Sequence, residues 1–466
     1  MLLPPLRIAN GAGFLGDNLD APRLVVEAGG VDYLTLEYLA ELTLSILARA
    51  REKDPAAGYA RDFITVLKSL CPALVAQPQL RIVTNAGGMN PIACARAAAE
   101  VLRDAGIVDA VIGVVTGDDI LGRLQEIQDG GCDLENLDTG RPLAELASQA
   151  GKPDLRAIVS ANVYLGATPI AEALAAGARI VITGRVADAS LTVGPATFEF
   201  GWKWDDWNAL AGASVAGHLI ECGAQATGGL YRHWQSLDLA NVGYPIAELM
   251  ADGTATITKP PGTGGAVTRQ TVAEQLVYEI GDPAHYLTPD VDVDFTTVEL
   301  SETGPDRVSV RGATGRPAPQ TYKASLAYRA GYSASGQLLV YGHDCVSKSR
   351  QCADMILRRV ARAGYTFEAS HVECLGAAAS VPGLHPPPAD LREVVLRLTV
   401  RDPRREAVER FTAEFAPLIT SGPPGLAGYA AGRPAVRPVL AYWPALVPRN
   451  LIAAKVECRS AADWIE

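Results

Sequence analysis

The sequence predicts an α/β fold: an N-terminal parallel sheet with flanking helices, doubly wound or barrel-like, followed by a smaller mixed α+β domain. Three observations predict it. Short apolar, β-branched runs in the first half each end in a small polar or Gly-rich turn. An Ala/Leu-rich stretch with helical spacing follows each turn, and strands that alternate with helices build parallel sheets. Past about residue 235 the pattern shifts to alternating strands with fewer helices. Two domains, 1–235 and 236–466, follow from that shift, and a chain of 466 residues is long enough to give each a core.

The strand-like runs of the first half are 6–9, 33–36, 81–84, 110–115, 158–161 and 180–182, with helices expected near 22–29, 38–50, 91–105, 118–129, 169–176 and 188–193. The clearest unit is 156–193. A strand ends near Asn162, a helix is capped by Gly177, and a second strand breaks into Thr183-Gly-Arg-Val-Ala-Asp188. Between residues 194 and 236 a tryptophan cluster (Trp202, Trp204, Trp207) precedes an Ala/Gly-rich buried helix that carries His218, Glu221, Cys222 and Gln225. The second half predicts strands at 254–258, 296–300, 307–312, 322–328 and 394–400. Its helices fall near 268–280, 346–363 and 404–416, and a Pro-rich wrap begins at Gly422.

Composition excludes several function classes. The formal net charge is −11 and no basic run occurs, which argues against nucleic-acid binding. No stretch of 18 uninterrupted apolar residues suggests a membrane span, and the opening Met-Leu-Leu-Pro-Pro-Leu-Arg is not a secretory signal. Eight dispersed cysteines without a C-x-x-C pair read as reduced thiols of a cytoplasmic protein. The six histidines form no H-x-x-x-H or H-E-x-x-H motif, so no local zinc site is expected.

Ligands of parallel α/β sheets bind where strands end and helices begin. Asn10, Glu37, Asn85, Asp118, Asp119, Asn162, Arg185 and Asp188 all fall at that edge. Amides there orient a carbonyl or enolate, a carboxylate acts as base, and an arginine grips a substrate carboxylate. Helix capping is the competing reading for Asp118 and Asp188. Gly11-Ala-Gly13-Phe-Leu-Gly16 matches the dinucleotide pattern, with Glu37 at the end of the next strand. Asp20 and Pro22, however, place the helix start too late for the glycines to open it. A tight turn lining a pocket is the better expectation. The loop Lys259-Pro-Pro-Gly262-Thr-Gly264-Gly265 reads either as an anion cradle, for a carboxylate or a coenzyme A phosphate, or as a turn that needs positive φ. His218 and Glu221, three apart on one helix face, read as polar groups buried to satisfy a neighbouring loop, with a general acid–base pair as the alternative.

Taken together, these segments resemble the acyclic terpene utilisation (AtuA-like) family. The resemblance rests on Asn10-Gly-Ala-Gly-Phe-Leu-Gly-Asp17, Tyr33-Leu-Thr-Leu-Glu-Tyr-Leu-Ala-Glu41, Thr84-Asn-Ala-Gly-Gly-Met-Asn-Pro91 and Val115-Thr-Gly-Asp-Asp119. It rests equally on Thr183-Gly-Arg-Val-Ala-Asp-Ala-Ser190, Glu221-Cys-Gly-Ala-Gln-Ala-Thr-Gly-Gly229, the Lys259 loop and Tyr278-Glu-Ile-Gly-Asp-Pro283, and spans about residues 6–456. It implies a bacterial pathway that degrades citronellol and geraniol through coenzyme A thioesters. Longer members carry a further small C-terminal domain, which implies a separate small partner subunit here. The resemblance brings no catalytic residues with it.

The expected function is a cytoplasmic, homo-oligomeric hydratase or lyase acting on an acyl-CoA or a related carboxylic acid, with no cofactor of its own required. Asp188 or Glu37 would serve as base. Arg185, Asn85 and Asn162 would hold the carboxylate or oxyanion, with Asp118 beside them, and the Lys259 loop would hold a phosphate or carboxylate. Two alternatives come from other classes: a nicotinamide-dependent oxidoreductase using Gly11 and Gly13, and a non-catalytic subunit of a hetero-oligomeric enzyme.

Overall fold

The computed structural model describes residues 4–146, 157–386, 388, 390–427 and 432–465. Residues 1–3 and 156, invoked above for the N-terminus and the first strand of the 156–193 unit, lie outside them. The chain divides into two compact units, residues 1–327 with 442–466, and residues 328–441. The composition shift at 235 does not coincide with this division, because residues 236–327 supply strands to the first unit's main sheet.

That sheet has ten strands and is open and mixed. From edge to edge they are Glu299–Gly304, Arg307–Arg311, Ala255–Thr258, Ile246–Leu249, Leu6–Asn10, Tyr33–Leu36, Arg81–Thr84, Ile180–Thr183, Val111–Thr116 and Lys455–Ser460. The five strands from Leu6–Asn10 to Val111–Thr116 pair in parallel. Antiparallel strands from later in the chain flank them on both sides. The parallel strands are short and almost wholly buried, as expected when helices cover both faces. On one face Leu34, Leu36, Ile82, Ile112 and Ile182 pack against Phe63, Leu67, Leu70, Cys94 and Leu102. The helices Thr168–Ala175, Ser190–Phe200 and Trp207–Glu221 pack near the other.

Two differences from the sequence reading have physical causes. The strand Ile158–Val163 is not in the main sheet; it pairs with Thr321–Tyr341. A strand has two edges, and those of Ile180–Thr183 are taken by Arg81–Thr84 and Val111–Thr116. The helix Arg61–Ala76, which the sequence reading does not include, forms although Pro72, which cannot donate a backbone hydrogen bond, lies inside it. Its buried Phe63, Val66, Leu67, Leu70 and Leu74 nevertheless repeat at helical spacing.

The second unit contains a sheet in the order Ala369–Leu375, Glu393–Asp402, Thr321–Tyr341, Leu426–Ala427, the long strand entering from the first unit. Helices Cys345–Arg362 and Arg405–Thr412 bury Ile356, Val360, Val408 and Phe411 against Leu396, Leu398 and Val400.

Candidate active site

Within the first unit a cleft of about 830 Å³ opens beyond the ends of the parallel strands. Glu37, Arg185, Asp188, His218, Glu221, Tyr164, Lys323 and Gly13 are among the residues that line it. Its size lies in the range of small-molecule sites. Exposed apolar side chains (Phe14, Leu230, Leu287 and Leu446) border it as well.

Arg185 is the centre of the arrangement. The strand Ile180–Thr183 ends in Gly184, where a Cβ would overlap the Asp118 carboxylate. Only glycine permits that approach, and it lets the Arg185 backbone N–H donate to Asp118 Oδ2 at 2.8 Å. The Arg185 side chain, 2% exposed, donates from Nη1 to the Leu39 carbonyl at 2.9 Å and to Asp188 Oδ1 at 2.6 Å. Its guanidinium lies 4.1 Å from the centre of the Tyr164 ring and 3.9 Å from Glu37 Oε1. Burial opposes the charge, but Asp188, Tyr164 and Glu37 outweigh it and raise the Arg185 pKa further. Its Nε has no hydrogen-bond partner.

Glu37 follows the strand Tyr33–Leu36 directly. Its Oε1 accepts from Asn85 Nδ2 and from the Leu39 amide, while Oε2 is buried without a partner. Burial and the Asp188 charge push its pKa up; Arg185, Asn85 and the Leu39 amide oppose them without prevailing. Asn85 is thus a support: its Oδ1 accepts from the Tyr38 amide at 2.8 Å. Asn162 and Asp118 form a second support, Asn162 Nδ2 donating to Asp118 Oδ2 at 2.8 Å. Burial raises Asp118 to about 6 against the Arg185 amide and Asn162, which lower it. Neither Asp118 nor Asp188 caps a helix. The helix after Asp188 starts at Ser190 with Ala189 at the cap position, and Asp119, not Asp118, accepts from the Leu121 amide.

The helix Trp207–Glu221 supplies the other wall. His218 Nδ1 lies 3.2 Å from Glu221 Oε1, and its Nε2 lies 3.0 Å from the Gln275 carbonyl. Burial raises Glu221 to about 7; Asp188 adds to this and His218 opposes it. Glu221 Oε2 is buried without a partner. Asn10 serves this wall: its Nδ2 donates to the carbonyls of Ile220 and Glu221 at 2.6 and 2.8 Å, tying the end of a parallel strand to the end of the helix. Cys222 also borders the cleft, but burial pushes its thiol up to about 12, which disfavours a thiolate nucleophile.

The Lys259 loop does not line this cleft. Lys259 Nζ lies 3.1 Å from Asp306 and donates to the Thr263 carbonyl at 2.8 Å, so its charge is answered within the loop region. Gly262 and Gly265 adopt φ of 77° and 75°, as the turn reading requires, and a Cβ on Gly264 would collide with the Asp238 carbonyl. The glycines of the N-terminal motif are packing glycines too. A Cβ on Gly11 would come within 2.8 Å of Pro22 Cα, and one on Gly13 within 2.6 Å of the Cys222 carbonyl carbon. The helix after them begins only at Ala21, so its N-terminus is not the one that glycines of a dinucleotide fingerprint would open.

Other cleft residues carry no local sequence signal. Tyr164 donates to Glu41 at 2.6 Å, and Lys323 Nζ lies 3.3 Å from Glu41. Burial alone would raise Glu41, but Tyr164, the amide of its own helix start, Lys323 and Arg185 carry it down to about 2. Tyr244 donates to Asp17, whose other oxygen accepts from the Gly13 amide at 2.8 Å. Among the described residues no group of three or more His, Cys, Asp or Glu is arranged to hold a metal ion, and no helix is long and apolar enough to cross a membrane.

The family model described as acyclic terpene utilisation family protein AtuA matches residues 6–458. No curated protein and no solved structure matches.

Proposed function

The chain belongs to the acyclic terpene utilisation (AtuA) family, and from that premise we propose that its cleft adds or removes water next to the carbonyl of a small carboxylic acid or its thioester. One observation carries the reading. Three buried polar atoms without partners, Glu37 Oε2, Glu221 Oε2 and Arg185 Nε, belong to residues that line one cleft. Such atoms are rare in folded proteins, and each asks for a ligand or a function.

In the elimination direction, Arg185 supplies the positive charge that favours the carboxylate or developing enolate oxygen. Asp188, ion-paired to Arg185 and with its side chain 36% exposed, takes the proton from the carbon next to the carbonyl. Glu221, protonated in part near neutrality, gives its proton to the departing hydroxyl, which leaves as water. Addition of water runs the same steps backwards. Glu37, its pKa raised by burial and the Asp188 charge, lies 3.9 Å from the Arg185 guanidinium. The apolar border formed by Phe14, Leu230, Leu287 and Leu446 suits a hydrocarbon chain. The Lys259 loop does not line the cleft and the apolar border does, so recognition is assigned to the acyl part.

The test is a mass-spectrometric screen of the purified chain with enoyl- and hydroxyacyl-CoA thioesters and the matching free acids. Gain or loss of one water by one of them, abolished in Glu221→Gln, is the expected result. No turnover of either panel by a folded protein would overturn the reading.

A further inference from the structure

His218 and Glu221 raise a question of proton accounting. His218 is buried, and the Glu221 side chain is 11% exposed. The Gln275 carbonyl oxygen, 3.0 Å from His218 Nε2, can only accept, so Nε2 carries a proton whatever the charge of the ring. Gln275 Nε2 donates back to the His218 carbonyl at 3.0 Å, so the contact is reciprocal. The imidazole is further held by Phe295 and Tyr286, whose ring centres lie 5.5 and 5.9 Å away. With Nε2 committed, only Nδ1 is left to face Glu221 Oε1, at 3.2 Å. A neutral ring then accepts a proton from a protonated Glu221, and a charged ring donates one to the carboxylate.

We propose that His218 is the positioning residue of this site: the Gln275 carbonyl locks its tautomer, and it shares a single proton with Glu221 across Nδ1 and Oε1. The proposal rests on the acid–base reading of the cleft. The pair's one proton is the one that Glu221 delivers: once it has left with the hydroxyl, the pair is neutral imidazole, Nε2 still protonated, beside a carboxylate, and one proton taken up from solvent restores it. Until delivery, His218 Nδ1 keeps that proton at Oε1. No other donor contacts that oxygen among the bonds of the described residues. The remaining titratable and charged groups that act on Glu221 are Asp188 and Arg185 on the turn after Thr183, Cys222 next in the chain, and Tyr286 on the strand Tyr286–Leu287. Asp188 favours retention of the shared proton and Arg185 opposes it.

The experiment uses histidine-selective ¹⁵N NMR of the full chain without substrate, so it reads the proton position independently of turnover. The expected spectrum shows Nε2 protonated across pH 5–9, with only Nδ1 titrating. Glu221→Gln should lower that titration by about one to three pH units, because the carboxylate that favours the cation is gone. Glu221→Asp serves as a second variant should the glutamine form fail to fold, and should retain the Nε2–H tautomer with a weakened Nδ1 contact. A ring protonated on Nδ1 and bare on Nε2, or a titration unmoved in Glu221→Gln, would overturn the proposal. Once a substrate is in hand, His218→Gln should lower kcat about tenfold or more with KM little changed and displace the acidic limb of the pH profile. An NMR result as expected with no turnover of any substrate would leave the proton sharing standing and remove the hydratase reading alone.

Discussion

Two strand-to-helix regions of the first unit look alike in sequence and differ in chemistry. Each places a cation in a glycine-containing turn: Arg185 after Ile180–Thr183, and Lys259 after Ala255–Thr258. Lys259 is bonded by Asp306 and Thr263 from its own surroundings. Arg185 is held by Leu39 and Asp188, yet keeps an unpaired Nε in a residue that lines the cleft, next to two carboxyls with unpaired oxygens. The lesson is that a motif of charge plus glycine does not by itself make a site. What matters is whether the neighbours have already bonded every donor.

The largest expected effect tests that contrast directly. Arg185→Ala should abolish turnover and lower stability, because it removes a buried cation that bonds the Leu39 carbonyl and the half-exposed Asp188. Denaturant melts and rates for the two alanine variants decide it: Lys259→Ala should leave turnover unchanged, and a rate loss there matching that of Arg185→Ala would break the comparison. Glu221→Gln comes next. It should lower kcat by about 10²–10⁴-fold with the fold intact, and a fully active variant would remove Glu221 from the chemistry.

A third prediction concerns pH. Glu221 at about 7 and Asp118 at about 6 bind protons more tightly in the folded than in the unfolded chain, as do Glu37 and His218. Between about pH 4.5 and 7 the native state therefore holds the excess of protons, so stability falls as pH rises through that window. Melting temperature should decline from pH 5 to pH 8, and Glu221→Gln should flatten the decline. Below pH 4 the trend reverses, since Glu41 at about 2 and Asp292, lowered by Arg316 and His285 against the effect of burial, are stabilised as anions and lose that stabilisation on protonation.

Smaller effects sharpen the picture. Asn10→Ala removes two hydrogen bonds that tie the helix end to the sheet and should cost about 1–3 kcal/mol, measured by urea unfolding, with a loss of kcat that reflects a loosened Glu221. Glu279 borders the cleft with φ of 59°, a left-handed conformation that only glycine adopts freely. Glu279→Gly should raise stability by up to about 1 kcal/mol; a loss would show that its side chain contributes more than its backbone costs.

The lining of the candidate cleft was partly legible in the sequence. Glu37, Arg185 and Asp188 stand at strand ends, where the rule that ligands collect places a candidate site, and all three line the cleft. Asn85, Asp118 and Asn162 were found by the same rule, but the structure places them as supports, bonded to Glu37, to the Arg185 amide and to each other. His218 and Glu221 were visible as a polar stripe on one helix face, and their preferred reading was structural. Their position opposite Arg185 depends on how a helix some thirty residues later docks on the sheet. Lys323 and Tyr286 had no signal, because they reach the cleft from a strand and a short hairpin far along the chain.

The sequence by itself determined the alternation of strands and helices, the family, and the strand-end carboxylates and arginine, because those follow from local periodicity and from turns that need glycine. Only the tertiary structure decided that the strand Ile158–Val163 leaves the main sheet, that later strands complete that sheet, and that Arg185 lines the cleft with an unpaired Nε while Lys259 lies outside it. Each of these depends on which surfaces are already occupied when distant segments meet. Pairing edges, hydrogen-bond donors and buried charge are finite, and no local pattern records which neighbour satisfies them.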